Sequence, residues 1–339
     1  MKKLSKNQIK VLDYIQKNFP LVDRPFQQIG LELNLTEKEV KITIKQLKQE
    51  GIIRNIAGIF EAQKLGYYLS LVALEVPEEK IPLATNLINS HPGVSHNYLR
   101  DHRYNIWFTL AEESKSKFEK KVKYLVAQIG AKDFLILPSK KMLKIGVFLP
   151  LGQKSGSVKK NNNFEGKAKF YKTKKNREAV FLLQQDLPLV NYPFNALIKK
   201  KKSSLSEEKL LFLAKQLQEQ KIMRRYSAVL RHHQVGYKFN AMTTWNFSEK
   251  KDSIKKLELF LKEKSITHLY LRPTFPGKWE HSLFAMIHAK SKASLTKIIK
   301  NLALKSKIED YLVLQTLKEL KKEKVIYFSD KFKDKKKFK

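Results

Sequence analysis

Pro20-Leu21-Val22-Asp23-Arg24-Pro25-Phe26 returns as Pro188-Leu189-Val190-Asn191-Tyr192-Pro193-Phe194, and this repetition sets the fold class. Leu65-Gly66-Tyr67 returns as Val235-Gly236-Tyr237, and His96-Asn97-Tyr98-Leu99-Arg100 returns as His268-Leu269-Tyr270-Leu271-Arg272. The order is kept, and the offset moves only from 168 to 172 residues. So small a drift means one domain present twice, head to tail, with short loop insertions. Two copies of a module that pairs with itself predict an internal pseudo-dimer. Positions at which the copies differ are then where function is to be sought.

Around these motifs the hydrophobic period alternates between helix and strand. Ile9, Val11, Leu12 and Ile15 follow helical spacing, and Phe26 to Leu33 reads as a second short helix. Thr36 with Glu39 forms a capping-box signature for a third helix, whose apolar face is Val40, Ile44 and Leu47. Three such helices before Ile52-Ile53-Arg54 predict a helix-turn-helix with a small wing. Strands are predicted over 68–76, 94–100, 104–111 and 134–137, and helices over 81–90 and 115–129, which is a ferredoxin-like βαββαβ order. The second copy repeats it, with helices over 177–185, 207–220, 255–262 and 295–304 and strands over 240–246, 267–272, 282–288 and 311–314. The expected fold is α+β. It divides into helix-turn-helix 1–55, ferredoxin-like domain 56–151, linker 152–175, helix-turn-helix 176–225, ferredoxin-like domain 226–329 and basic tail 330–339.

Lys plus Arg exceed Asp plus Glu by 68 − 32 = 36. That excess suits a polyanion, or a lysine-covered solvated surface. Only nine of the 68 are Arg, and Arg54, Arg100, Arg224, Arg225, Arg231 and Arg272 lie in or beside the repeated motifs. The guanidinium fork matches carboxylates, so scarce Arg placed there points to an anionic ligand. The absence of cysteine excludes disulfides, thiolate-held clusters and cysteine nucleophiles. No apolar run is long enough to span a membrane, the N-terminus lacks a signal-peptide core, and the expected location is cytoplasmic.

A helix-turn-helix followed by a ferredoxin-like domain resembles the Lrp/AsnC family of transcription regulators. The third helix of the first copy offers Glu37, Lys38, Lys41, Thr43 and Lys45, with Thr43 where that family usually has Arg. The second copy offers Leu210-Leu211-Phe212-Leu213-Ala214, with Leu213 at the same place. An apolar face cannot hydrogen-bond base edges, so nucleic acid is not the expected partner.

The remaining motifs resemble siroheme decarboxylase in its fused two-subunit form. Arg54-Asn55-Ile56-Ala57-Gly58-Ile59-Phe60, Lys64-Leu65-Gly66-Tyr67, His96 to Arg100, Tyr104 to Thr109 and Lys144-Ile145-Gly146-Val147 are similar to one subunit. Arg224 to His232, Gly236-Tyr237, Asn240-Ala241-Met242, Trp245, Tyr270 to Thr274, Leu283-Phe284, Met286-Ile287-His288 and Lys324 to Phe328 are similar to the other. His281-Ser282 departs from the Tyr-Asn usual in the second subunit, which the first copy keeps as Tyr104-Asn105. The resemblance implies decarboxylation of two acetate side chains of siroheme, giving 12,18-didecarboxysiroheme for haem or haem d1. It implies no cofactor beyond the iron-containing substrate.

The residue chemistry fits such a ligand independently. A flat apolar ring carrying eight carboxylates needs cationic forks at its rim and aromatic walls. His96, Tyr98 and Arg100 alternate, so they share one strand face, and His268, Tyr270 and Arg272 repeat that geometry. Expected catalytic residues are His232, His96, His102, Tyr98 and Arg100. Expected substrate contacts are Arg225, Arg231, Arg224, Arg54, His268, Tyr270, Arg272, Trp107 and Tyr226. His232, which matches the family His, is expected to be an axial ligand of the substrate iron or a proton donor. At an offset of 170 it aligns with Ala62, and Arg225 aligns with Asn55. One competent site is therefore expected, holding both the His and the Arg.

Overall fold

The structure is a computed structural model that describes residues 4–17, 19–145, 170–230, 239–248 and 254–329. In the first half, helices α1 (Lys6–Lys17), α2 (Pro25–Leu33) and α3 (Glu37–Gln49) form the helix-turn-helix, and β1 (Ile53–Phe60) is its wing. The capping box is made as its sequence demands. The Glu39 amide donates to Thr36 Oγ1 at 3.2 Å, and the Thr36 amide donates to the Glu39 carboxylate at 2.7 Å. Then come β2 (Tyr68–Glu75), α4 (Ile81–Ser90), β3 (Val94–Arg100), β4 (Ile106–Glu112), α5 (Lys115–Ile129), β5 (Asp133–Leu137) and β6 (Lys141–Ile145). The second half repeats the set as α6 (Lys174–Leu183), α7 (Pro193–Lys200), α8 (Glu207–Glu219), β7 (Met223–Leu230), β8 (Phe239–Trp245), α9 (Ile254–Lys262), β9 (Ile266–Leu271), β10 (Leu283–Ala289), α10 (Lys292–Ser306), β11 (Tyr311–Leu314) and β12 (Thr316–Lys322). Helix α6 begins at Lys174, inside the stretch expected to be linker. The divisions drawn at 55/56 and 225/226 pass through β1 and β7.

Two strands do not stay with their own half. The sheets run β12-β3-β4-β2-β5 and β11-β8-β10-β9-β6. Four strands in each keep the ferredoxin-like order, and the fifth is supplied by the other copy. Lys322 of β12 pairs with His96 of β3, and Ile145 of β6 pairs with His268 of β9. A free strand edge is an open template for pairing, and reciprocal exchange covers both edges while tying the halves together. Each sheet buries one face under its own two helices. Phe108, Phe118 and Val122 fill the first of these cores, and Trp245, Phe260 and Ile299 fill the second. The opposite faces meet, and Trp107, Trp279, Phe284, Leu137 and Leu314 form the seam.

A separate two-stranded ladder joins the wings. β1 and β7 run antiparallel, with Ala57 opposite Ser227. Those two residues are 170 apart, the same offset as Arg54 and Arg224, so the ladder's midpoint is the pseudo-dyad of the molecule. Gly58 lies beside it because a Cβ there would meet Met223 Sδ at 2.8 Å and the Leu183 carbonyl oxygen at 3.2 Å. Above the ladder the two helix-turn-helix units share one core, with Phe26, Ile44, Phe194 and Leu210 all fully buried.

Tyr226, expected to touch substrate, lies in that core instead. It is 1% exposed, between the rings of Phe19 and Phe194 at 5.6 and 5.7 Å. Its hydroxyl has no partner among the described residues. A buried hydroxyl without a partner costs stability, so Tyr226→Phe is expected to melt at or above the wild-type temperature, whereas Tyr226→Ala should lose about 3–5 kcal/mol. Denaturant unfolding checks both, and a Phe variant that loses activity while keeping its stability would restore a ligand role to the phenol.

Candidate functional site

Strand alternation carries His96, Tyr98 and Arg100 to the face of β3 that looks away from the helices. The His96 and Tyr98 rings stack at 6.2 Å, and the Arg100 guanidinium lies 5.1 Å from the Tyr98 ring centroid. The second copy reproduces this at 6.3 Å for His268 and Tyr270, and 5.0 Å for Arg272 over Tyr270. Ser95 and Thr267 hydroxyls each sit 2.9 Å from the Nδ1 of the neighbouring histidine.

The two arginines at the end of these rows hold the strand crossovers. Arg100 Nη1 donates to the Leu314 carbonyl at 2.8 Å and to Thr316 Oγ1 at 3.1 Å, where the chain leaves one sheet for the other. Arg272 Nη1 donates to the Leu137 carbonyl at the matching point. Burial pulls both guanidinium groups down to about 10. They were expected to be catalytic and substrate-binding respectively. Their geometry makes them clamps between the halves, with no acid partner to balance the buried charge among the described residues.

At the other end of the rows the twin pockets differ. Beside His96 and Tyr98, β12 presents Lys322 and Glu319, whereas in the second copy β6 sets Met142 opposite Tyr270. Arg54 reaches this first pocket, donating to the Lys322 carbonyl at 3.4 Å, and makes no ion pair among the described residues. Lys324 donates to the Gly58 carbonyl at 3.1 Å, and burial, with Arg54 adding to it, brings its ammonium down to about 8. Burial first, then repulsion from Lys322 and Arg54, pushes His96 down to about 4. Burial and the Glu319 charge raise the Tyr98 phenol to about 12. The pocket is thus a neutral imidazole and a neutral phenol among cations. Lys322 and Lys324 escaped the sequence reading as site residues because they stand in a lysine-rich stretch.

In the second pocket the arginine is occupied. Arg224 donates from Nε and Nη2 to the same Glu61 carboxylate oxygen, each at 2.8 Å. Both charges act on the Tyr270 phenol, in opposite directions, which places the pair at that pocket. At the offset of 170, Glu61 and Ala62 correspond to Arg231 and His232, both of which lie outside the described residues. The described part of β7 ends at Leu230, just before them. Leu230 is opposite Ile53, at the Arg54 end, while Arg225 is opposite Ile59, at the Glu61 end. Five residues of strand separate the two points, roughly 17 Å. Arg225 is exposed on β7, and His232, expected to share its site, lies outside the described residues.

Two further expected residues stand apart from His96. Trp107 is 1% exposed and packs against Trp279 at 5.5 Å in the seam, so it is a core residue. His102 sits in the β3–β4 turn, where its Nδ1 accepts the Tyr104 amide at 3.0 Å and its ring meets the Trp279 edge at 5.6 Å. Burial lowers its pKa. It lies beyond Arg100, at the opposite end of the row from the Arg54 pocket. His281 pairs with Asp310 at 3.0 Å, and its carbonyl accepts the Trp279 indole N–H at 2.7 Å, which gives that departure from the family pattern a packing role.

Part of each helix-turn-helix surface is committed to protein, while Lys38 and Lys45 stay exposed. Lys48 pairs with Asp186 of the second copy at 2.8 Å, Lys41 donates to Asn191, and Thr43 and Leu213 are 9% and 6% exposed. A recognition helix needs such cations and polar positions free for the major groove.

Two family models match the chain. One is described as an AsnC-like ligand binding domain and covers residues 64–144 and 234–321, and the other, a siroheme decarboxylase NirDL-like HTH domain, covers 8–54. The siroheme decarboxylase of Hydrogenobacter thermophilus is 35% identical over 95% of each chain. The siroheme decarboxylase alpha subunit of Desulfovibrio desulfuricans is 40% identical to 40% of this chain, over 79% of its own length. Two crystal structures of the siroheme decarboxylase NirDL are similar. One shares 32% identity over 96% of each chain with a TM-score of 0.76. The other, in co-complex with an iron-uroporphyrin III analogue, shares 31% over 95% of each with a TM-score of 0.75.

The depressed His96 makes a testable link to stability. Unfolded, its pKa is about 6.5, so between pH 6.5 and 4 the unfolded chain binds a proton that the folded chain does not. The contribution is intact above pH 6.5 and is lost as pH falls toward 4. Denaturant unfolding at steps between pH 7.5 and 4 should show the wild type losing more stability than His96→Asn across that window, and parallel curves would mean the imidazole is solvated.

Proposed function

The chain belongs to the siroheme decarboxylase family, and on that footing we propose that it binds siroheme against the face of β3, with His96, Tyr98, Arg54, Lys322 and Lys324 around the substrate rim. One observation carries this placement: of two geometrically equivalent pockets, only the first keeps its wing arginine free of a carboxylate among the described residues. A ligand with eight carboxylates needs that charge. Leu230, the last described residue of β7, pairs with Ile53 next to Arg54; to His232, which lies outside the described residues, we assign the axial position on the substrate iron or the role of proton donor.

The chemistry is that of a carboxy-lyase. The bond between the acetate CH2 and its carboxylate breaks, carbon dioxide leaves, and the electron pair stays on the carbon, spread into the macrocycle. A protonated histidine then delivers the proton that makes a methyl group. Burial first, and then the pocket's own cations, keep His96 neutral. Substrate carboxylates reverse that local field and raise its pKa, so the acid is formed where and when it is needed. Tyr98 keeps its proton and orients the reacting carboxylate as a donor. Because only the second copy carries a histidine at this offset, His232 against Ala62, the same pocket processes the two acetates in turn. On this reading the macrocycle is the only electron sink required, and the enzyme acts in the cytoplasm to supply haem or haem d1 synthesis.

Anaerobic incubation with siroheme followed by mass spectrometry should show loss of two carboxyl groups. His232→Ala should abolish turnover or shift the visible spectrum, and wild-type behaviour in both would remove it from the site. Arg54→Gln should raise KM about 10- to 100-fold, the loss of one charge-assisted hydrogen bond. A visible band without carbon dioxide release would mark a binding protein, not an enzyme.

A further inference from the structure

The two pockets are related by the pseudo-dyad at Ala57 and Ser227, and each has a stacked His–Tyr pair, a buried arginine over the Tyr ring and a wing arginine. Among the described residues, the wing of the second adds a carboxylate, Glu61, that the wing of the first lacks. Glu61 lies on the first copy directly after β1, hydrogen-bonded through its own amide to the Ile222 carbonyl at 2.9 Å, so its backbone is pinned beside β7. From there its side chain takes two donors of Arg224. The pair is about one-third exposed on each side and so is not sealed in the core, and both of its charges act on the Tyr270 phenol.

We propose that Glu61 closes the second pocket to polycarboxylate ligands, making it the residue that fixes one substrate per chain. It does so twice over: it occupies the fork that would receive a carboxylate, and it sets a like charge where that carboxylate would lie. The inference rests on the reading that the first pocket binds siroheme, and it extends that reading from where substrate binds to why a twofold scaffold has a single seat. The closing element is contributed by one copy and the guanidinium by the other, across 163 residues of sequence.

Iron uroporphyrin III, an iron porphyrin with eight carboxylates, is the probe, titrated anaerobically into the full chain and followed by its visible absorbance at protein concentrations well above Kd. The wild type should saturate at one equivalent, Glu61→Gln at two, and Glu61→Gln/Arg224→Gln at one again. Glu61→Gln should keep wild-type siroheme turnover, since the first pocket is untouched. A wild type that takes two equivalents, or a Glu61→Gln chain that takes one, overturns the proposal. Failure of the underlying reading looks different: the wild-type equivalent would then survive Arg54→Gln and vanish in Arg224→Gln, or no probe would bind at all. Circular-dichroism melts of Glu61→Gln and the milder Glu61→Asp establish that the titrated chains are folded. Glu61→Asp, which keeps the charge, should stay at one equivalent, and two would overturn the electrostatic account.

Discussion

The antiparallel pairing of β1 with β7 is the constraint on which the rest depends. Main-chain hydrogen bonds set its register, and the Ala57–Ser227 pair puts a pseudo-dyad through the ladder. Once that register is fixed, the end of each wing strand is delivered to the pocket of the opposite copy, and the two helix-turn-helix units are close enough to share a core. A slip of one residue would turn every side chain of a wing strand to the other face. The reciprocal strands β6 and β12 then make separation of the halves costly, because each sheet would lose its fifth strand.

Much of this was legible in the chain and some of it was not, for definite reasons. The repeated motifs, the Thr36–Glu39 box and the helices α4 and α5 follow from local chemistry and period, and they stand where the sequence puts them. The shared face of His96, Tyr98 and Arg100 followed from period-two alternation. The exchange of β12 did not, because Thr316 to Lys322 is mostly polar and holds its place by backbone pairing, on which composition is silent. Tyr226 was misread because a tyrosine against a flat ligand and a tyrosine in a core leave the same trace in sequence. Arg225 and Leu230 are close in the text of the chain, yet an extended strand moves the chain about 3.3 Å with each residue, so they stand at opposite ends of the ladder. The Glu61–Arg224 pair is visible only after the register of the ladder is known, although the substitution of Glu61 for an Arg at the repeat offset was there to be noticed.

The molecule shows how a scaffold shaped for nucleic acid can be turned to a small anionic ligand with few changes. Part of each helix-turn-helix surface is spent on the other through Lys48–Asp186 and the buried Leu213, so the two units serve as a lid that holds the wings in register. Cationic character is kept in the pocket between the sheets, where Lys324 is partly withdrawn from water and a carboxylate gains more than it would on an open lysine-covered face.

The crossed strands also set the order in which the chain can become whole. The outer edge of β3 is complete as soon as residue 100 has been made, but its cover, β12, ends at Lys322, 222 residues later. Throughout ribosomal synthesis the N-terminal sheet therefore waits with a bare row of amides and carbonyls, a period in which it invites pairing with any neighbouring nascent chain. Joining both copies in one polypeptide shortens that wait to a single translation event, and it makes the right closing strand the one always nearest to hand.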